Sequence, residues 1–193
     1  MRRRRRATEM LLAALSIVAV VISFSDAQEI QNVTIAGNAS TRIISPNFPF
    51  TYPNNADKTW IVSTEEDHKI AITFFQFRVD TNFDGDFLQI GDGTNVTANQ
   101  FFEENGFTLP PNLLSNGNEM WMRFITDDRL ADSGFVLAAA SVPSTEMLAC
   151  SRTELDCGHY CIRGTLQCDR EADCFGGTDE LNCGNKESAN ENV

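Results

Sequence analysis

CSRTELDCGHYCIRGTLQCDREADCFGGTDELNC, residues 150–183, contains all six cysteines of the chain. So short a segment has little room for an apolar core, so covalent links must replace buried area. Six thiols permit fifteen pairings, and spacing by itself selects none of them. In the second half, Asp169, Asp173, Asp179 and Glu180 lie among Cys168, Cys174 and Cys183. Four carboxylates gathered by short disulfide loops repel one another unless a cation neutralises them. Hard oxygen donors at that density suit calcium, which takes six to eight oxygens. A solvated acidic surface on a disulfide knot is the plainer reading of the same residues.

Written as C-x6-C-x3-C-I-x5-C-D-x3-D-C-x4-D-E-x2-C, the stretch resembles the LDL-receptor class A module over its whole length. The resemblance implies bonds from first to third, second to fifth and fourth to sixth cysteine: Cys150–Cys161, Cys157–Cys174 and Cys168–Cys183. It also implies a calcium cage built from the side chains of Asp169, Asp173, Asp179 and Glu180, with backbone oxygens from Leu166 and Glu171. Where the family usually carries tryptophan, this chain has Leu166, so the carbonyl ligand is kept but the indole platform for a partner's lysine is not.

Outward from the cysteine block, the chain opens MRRRRRATEM, followed by an apolar run from Leu11 to Phe24 and small residues at Ser25 and Ala27. Residues 1–27 therefore read as a secretory signal peptide cut after Ala27. The run is short for a membrane span, which needs roughly 18 or more apolar residues, although a signal-anchor is the rival reading. No other stretch is long and apolar enough to cross a bilayer, and export agrees with a disulfide framework. Asn32, Asn38 and Asn95 each open an N-x-[ST] sequon and are expected glycosylation sites on surface loops.

The whole chain carries 15 basic and 27 acidic residues; cleavage after Ala27 leaves 10 against 25, a charge of about −15. Such a surface argues against nucleic acid and against anionic membranes. It is compatible with cations, with basic patches on partner proteins, or with solubility alone.

Residues 28–143 show strand patterns and no long segment of helical period. Thr59–Val62, Ile70–Phe77, Phe87–Ile90, Met120–Phe124 and Gly134–Leu137 are short, aromatic or β-branched, and separated by Asn, Asp, Gly and Pro. Turn-bounded strands of this kind predict an all-β sandwich. The order Ile44-Ser45-Pro46-Asn47-Phe48-Pro49, Tyr52-Pro53-Asn54-Asn55, Trp60, Phe77-Arg78-Val79-Asp80, Asp86–Gly93, Phe124-Ile125-Thr126-Asp127 and Gly134-Phe135 resembles the CUB domain. The resemblance implies an antiparallel β-sandwich of the jelly-roll kind. This segment holds no cysteine; Lys58, Phe83 and Asn105 stand where many CUB domains place half-cystines. A secreted sandwich without such staples must rely on its core, so the phenylalanines are expected to pack.

Some CUB domains hold calcium between a Glu and two Asp, with a Tyr bracing the Glu. By resemblance, Tyr52 would be the brace, Asp80 would replace the Glu, and Asp86 and Asp127 would supply the aspartates. Asp80-Thr81-Asn82-Phe83-Asp84-Gly85-Asp86 also fits the opening of a D-x-[DN]-x-[DN]-G calcium loop, with Asp80, Asn82 and Asp84 as donors. The twelfth position is Gly91 and not Glu, so an EF-hand is not expected. An Asx-rich hairpin turn without an ion explains the same residues.

Residues 144–149 read as a short junction and 184–193 as a polar disordered tail without an anchor. The two histidines, His68 and His159, fall in polar turns and are expected to be solvated. No H-E-x-x-H, G-x-S-x-G or phosphate loop is present, so no catalytic site and no enzyme activity are expected. The reading is a secreted, non-catalytic, calcium-dependent adaptor for a cell-surface receptor or matrix component. Its partner would be an extracellular or cell-surface protein, with no nucleic acid and no stable membrane insertion. The alternatives are a recognition subunit of a separate extracellular enzyme and a self-associating matrix component.

Overall fold

The computed structural model describes residues 28–82 and 85–183. The expected signal peptide, Phe83 and Asp84 of the Asp80–Asp86 loop, and the tail lie outside the described residues. The chain forms β1 (Glu29–Thr34), β2 (Ser40–Ile44), β3 (Asp57–Ser63), β4 (His68–Arg78), β5 (Phe87–Asp92), β6 (Gln100–Glu104), β7 (Leu113–Leu114), β8 (Glu119–Ile125) and β9 (Gly134–Pro143). These build one sheet in the order β1-β3-β8-β5-β6 and another in the order β2-β9-β4-β7. A hairpin of β10 (Glu154–Asp156) and β11 (Cys161–Arg163) follows, with short 3-10 turns at Gly164–Leu166 and Thr178–Glu180.

The strand runs seen in the sequence are all strands here, and β8 is the middle of the first sheet. It pairs antiparallel with β3 on one side and β5 on the other, placing Met122 between Trp60 and Ile90 and Phe124 between Lys58 and Leu88. Alternation then sends Met120, Met122 and Phe124 inward, where they meet Ile70, Ile72, Phe74 and Leu137 from the second sheet in one buried cluster. Phe124 is fully buried and sits edge-on to Tyr52 at 5.1 Å and to Phe135 at 5.3 Å. Aromatic pairs in this geometry add to the stabilisation from burial alone.

Two features depart from the expected pattern. β1 runs parallel to β3, so the sandwich is not purely antiparallel. In that register Glu29 lies 2.8 Å from Lys58, whose ammonium also stands 5.4 Å from the Trp60 ring centre. Lys58 occupies an expected half-cystine position and makes polar and cation–π contacts there. Second, the phenylalanines do not all pack: Phe50, Phe75 and Phe107 are largely exposed. Phe75 is turned out by an irregularity in the β4–β9 ladder between Phe74 and Gln76, which resets the alternation so that both Phe74 and Phe77 point inward.

Trp121 lies on the opposite face of β8, yet it is fully buried. Its ring covers Gly91, where a Cβ would collide with the indole, and its Nε1–H donates to the Ala98 carbonyl at 2.9 Å. The loop carrying Asn95 is thus folded over the sheet.

The histidines also differ from expectation. His68 has a side chain only 13% exposed, with Nδ1 2.8 Å from an Asp67 oxygen. His159 stacks flat on Phe101, ring centres 3.8 Å apart. The Leu114 N–H donates to the His159 carbonyl at 2.9 Å, and His159 Nδ1 lies 3.0 Å from the Leu114 carbonyl. Its neighbour Tyr160 joins the sandwich core, edge-on to Phe102. Two adjacent residues of the Cys157–Cys161 loop therefore plug the cysteine-rich segment into the end of the sandwich. Neither histidine stands free in solvent: Asp67 and Glu65 of its own turn hold His68, and Phe101 and Leu114 of the sandwich cover His159.

Truncating Phe124 to Ala should cost about 3–5 kcal/mol, as expected for loss of a fully buried phenylalanine. Phe75→Ala should stay within about 0.5 kcal/mol. Denaturant unfolding with the disulfides intact checks both, and equal losses would refute the assignment of the two faces.

Candidate metal centres

The six cysteines form Cys150–Cys161, Cys157–Cys174 and Cys168–Cys183, each with Cα atoms 5.5 to 5.6 Å apart. The last two bridges hold the acidic half of the segment. Gly176 and Gly177 both take positive φ, which glycine adopts without steric cost, and turn the chain back on itself. The turn places Asp179, fully buried, beneath residues 173–174. Asp179 accepts the N–H groups of Asp173 at 2.9 Å and Cys174 at 3.1 Å through its two carboxylate oxygens. Its carbonyl accepts the Cys168 N–H at 3.2 Å. Glu180 accepts the N–H groups of Asp169 and Arg170, and Asp169 accepts that of Glu171.

Asp173 is different. Its Oδ2 is buried and has no hydrogen-bond partner, the sole such side-chain atom among the described residues. A buried anionic oxygen without a partner is costly unless a cation meets it. Burial, and then the neighbouring Asp169, Asp179, Glu171 and Glu180, push the Asp173 carboxyl above the usual carboxylate range. Like charges are therefore concentrated around an unsatisfied oxygen. The donor set, carboxylates with carbonyls nearby, fits a hard divalent cation such as calcium.

The sandwich loops gather a second acidic group. The Tyr52 hydroxyl donates to Asp86 Oδ2 at 2.6 Å and accepts the Asp80 N–H at 2.8 Å, while Asp86 Oδ1 accepts the Asp127 N–H at 2.8 Å. Gly85 lies against the Asp127 carboxylate, leaving no space for a side chain. The four residues named from the sequence thus come together, but the tyrosine hydroxyl bonds the carboxylate of Asp86 and only the backbone of Asp80. The Asp80 carboxylate turns instead to the N–H and side-chain amide of Asn82. Asp84, the third donor of the D-x-[DN]-x-[DN]-G reading, is outside the described residues. Burial raises the Asp86 carboxyl above its ordinary range, although its bonds from Tyr52 and Asp127 pull the other way. Burial and the bond to Asp86 likewise raise the Tyr52 phenol. In this group the oxygens of Asp80 and Asp86 are already engaged by protein donors, unlike that of Asp173.

Sequence reasoning missed one further cluster. Glu65, Asp67 and His68, in the turn before β4, have ligand atoms all within 4.8 Å of one another. Glu65 accepts the Gly37 N–H and Asp67 bonds the His68 ring, which accounts for the cluster as a pinned turn. The sequons differ in setting: Asn32 lies on the edge strand β1, Asn38 in the turn before β2, and Asn95 in the loop over Trp121, and all three are exposed.

A two-sheet sandwich carrying a disulfide-framed acidic module has the build of an extracellular protein-binding chain. Residues 32–138 match the CUB domain model, and residues 148–183 match the model of the low-density lipoprotein receptor domain class A. The chain belongs to the CUB domain family and carries a class A domain after it. Both kinds of domain are generally binding modules, and both generally bind calcium.

Among relatives, the chain is 30% identical to the dorsal-ventral patterning protein tolloid of Drosophila melanogaster over 131 residues, 65% of this chain and 12% of that protein. It is 31% identical to cubilin of Sus scrofa over 101 residues, 51% of this chain and 3% of that protein. The chain thus spans only a small part of either. Among solved structures, the CUB1-EGF-CUB2 region of human MASP-1/3 superimposes with a TM-score of 0.51 at 18% identity, covering 59% of this chain and 43% of that one. The extracellular region of zebrafish Gpr126/Adgrg6 gives 0.50 at 23% identity, covering 58% and 15%. These likenesses show the sandwich fold. No helix among the described residues is long and apolar enough to cross a membrane.

Tyr52→Phe removes the hydroxyl that joins Asp80 to Asp86 and leaves the ring in the core. It should cost about 1–3 kcal/mol, the penalty for stranding buried polar groups. Thermal or denaturant unfolding measures this, and unchanged stability would show that the hydroxyl does not hold the loops.

Proposed function

We propose that the chain is a secreted, non-catalytic adaptor that binds an extracellular protein, a cell-surface receptor or a matrix component, in a calcium-dependent manner. Residues 1–27 would be removed on export, residues 28–143 would form the CUB module, and 150–183 the class A module, joined by 144–149. The observation that carries the reading is the unpartnered Asp173 oxygen amid Asp169, Asp179 and Glu180. In this proposal one calcium is held by the side chains of Asp169, Asp173, Asp179 and Glu180 and the carbonyls of Leu166 and Glu171. The ion supplies positive charge that cancels the repulsion and fixes the fold of a segment with few buried apolar residues. The surrounding chain then presents a rigid face. A rigid face binds at lower entropic cost than a mobile one.

The partner class follows from family and charge. A mature charge of about −15 favours a basic protein surface and speeds association with it at low ionic strength. Leu166 offers no indole beside the cage, so recognition would rely on other contacts.

Asp179→Ala removes the acceptor of two backbone N–H groups together with a proposed ligand. Calcium binding by the class A module should be abolished and the disulfide pattern scrambled, as read by calorimetric titration and disulfide mapping. An unchanged titration with a native pattern refutes the cage. Affinity capture of the secreted protein on cell-surface extract, in calcium and in EDTA, tests the adaptor reading. Retention of a receptor or matrix protein in calcium alone supports it, and capture indifferent to EDTA opposes it.

A further inference from the structure

Among the contacts that join the class A segment to the sandwich, one aromatic residue also touches the acidic cluster. Tyr160 is 6% exposed, with its ring packed edge-on against Phe102 of β6, ring centres 6.2 Å apart. Phe102 in turn stacks on Phe74 of β4 at 6.0 Å. The other end of the same side chain reaches the acidic cluster. Its hydroxyl accepts the Phe175 N–H at 2.7 Å and donates to the Asp173 carbonyl at 3.3 Å. The backbone from Asp173 to Phe175 is therefore gripped from two sides. Asp179 holds the N–H groups of residues 173 and 174, and Tyr160 holds the carbonyl of 173 and the N–H of 175. The Cys157–Cys174 bridge closes the same region covalently onto the loop that carries Tyr160.

The loop itself is fixed to the sandwich next door. His159 lies flat on Phe101 and exchanges contacts with the backbone of Leu114 in β7.

We propose that Tyr160 is a positioning residue for the class A calcium cage, so that docking on the CUB sandwich prepares Asp173 for the ion and the ion in turn tightens the docking. The inference rests on the calcium reading of the class A module. A residue that orders a ligand before binding lowers the cost of binding. Thermodynamic linkage makes the effect reciprocal, since whatever factor docking adds to calcium affinity, calcium must return to docking.

The test uses the secreted chain with its disulfides mapped as native. Tyr160→Phe deletes only the hydroxyl, and Phe101→Ala removes the stacking surface of His159 while leaving the cage residues untouched. Calcium affinity is measured calorimetrically, and hydrogen exchange follows the amides of Leu114 and Phe175. Both variants should bind calcium roughly 5- to 20-fold more weakly than the parent, within the usual range of coupling between sites. Calcium should slow exchange at Leu114, a sandwich residue, in the parent and less so in Phe101→Ala. Wild-type affinity in Tyr160→Phe, or exchange at Leu114 indifferent to calcium, overturns the proposal while the calcium reading stands. A parent that binds no calcium at the class A module overturns both.

Discussion

Unlike charges can be buried in pairs, but like charges need a third party, and that constraint shapes the cysteine-rich segment of this chain, residues 150–183. Asp169, Asp173, Asp179 and Glu180 crowd a segment too short for a hydrophobic core. The backbone meets most of the demand, with N–H groups turned inward onto Asp179, Glu180 and Asp169. One oxygen of Asp173 is left over. The disulfides and the β10–β11 pairing hold the segment together, but they do nothing for that charge. The proposed calcium answers that electrostatic demand.

The sandwich solves the opposite problem. It has no covalent staples, so its stability comes from interdigitated side chains around β8, where three strands pair in register and aromatic rings meet edge to face. Polar contacts take the remaining places. At Lys58, a carboxylate and an indole occupy the surroundings of a position where related domains place cysteine.

Legibility in the sequence followed the range of the interactions. Strands β3, β4, β5, β8 and β9 were visible because a buried face repeats every second residue. β1, β2, β6 and β7 were not: β1 is almost wholly exposed, and β7 is two residues long. Edge strands of this sort exist because a neighbour's backbone pairs with them, which leaves no trace in local pattern. The irregularity at Phe75 shows the same limit, since adjacent Phe74 and Phe75 followed closely by Phe77 do not say which ring is turned out. In the acidic cluster the ligand types and spacing were legible through a family pattern. The roles of His159 and Tyr160 were not, because a histidine–tyrosine pair inside a six-cysteine segment looks like any polar turn. Only the fold shows Phe101 and Phe102 waiting for them.

The two tryptophans give the molecule a built-in optical partition. Trp60 is packed in the interior between the sheets, and Trp121 is sealed under the Ala98 loop on the outer face of β8. The class A segment has no indole, because Leu166 stands in the place where that family usually has one. Intrinsic emission excited at the indole band therefore belongs wholly to the sandwich. An event confined to the disulfide knot is dark at that wavelength, and one that brightens or dims it has either begun in the sandwich or crossed the His159–Tyr160 joint to arrive there.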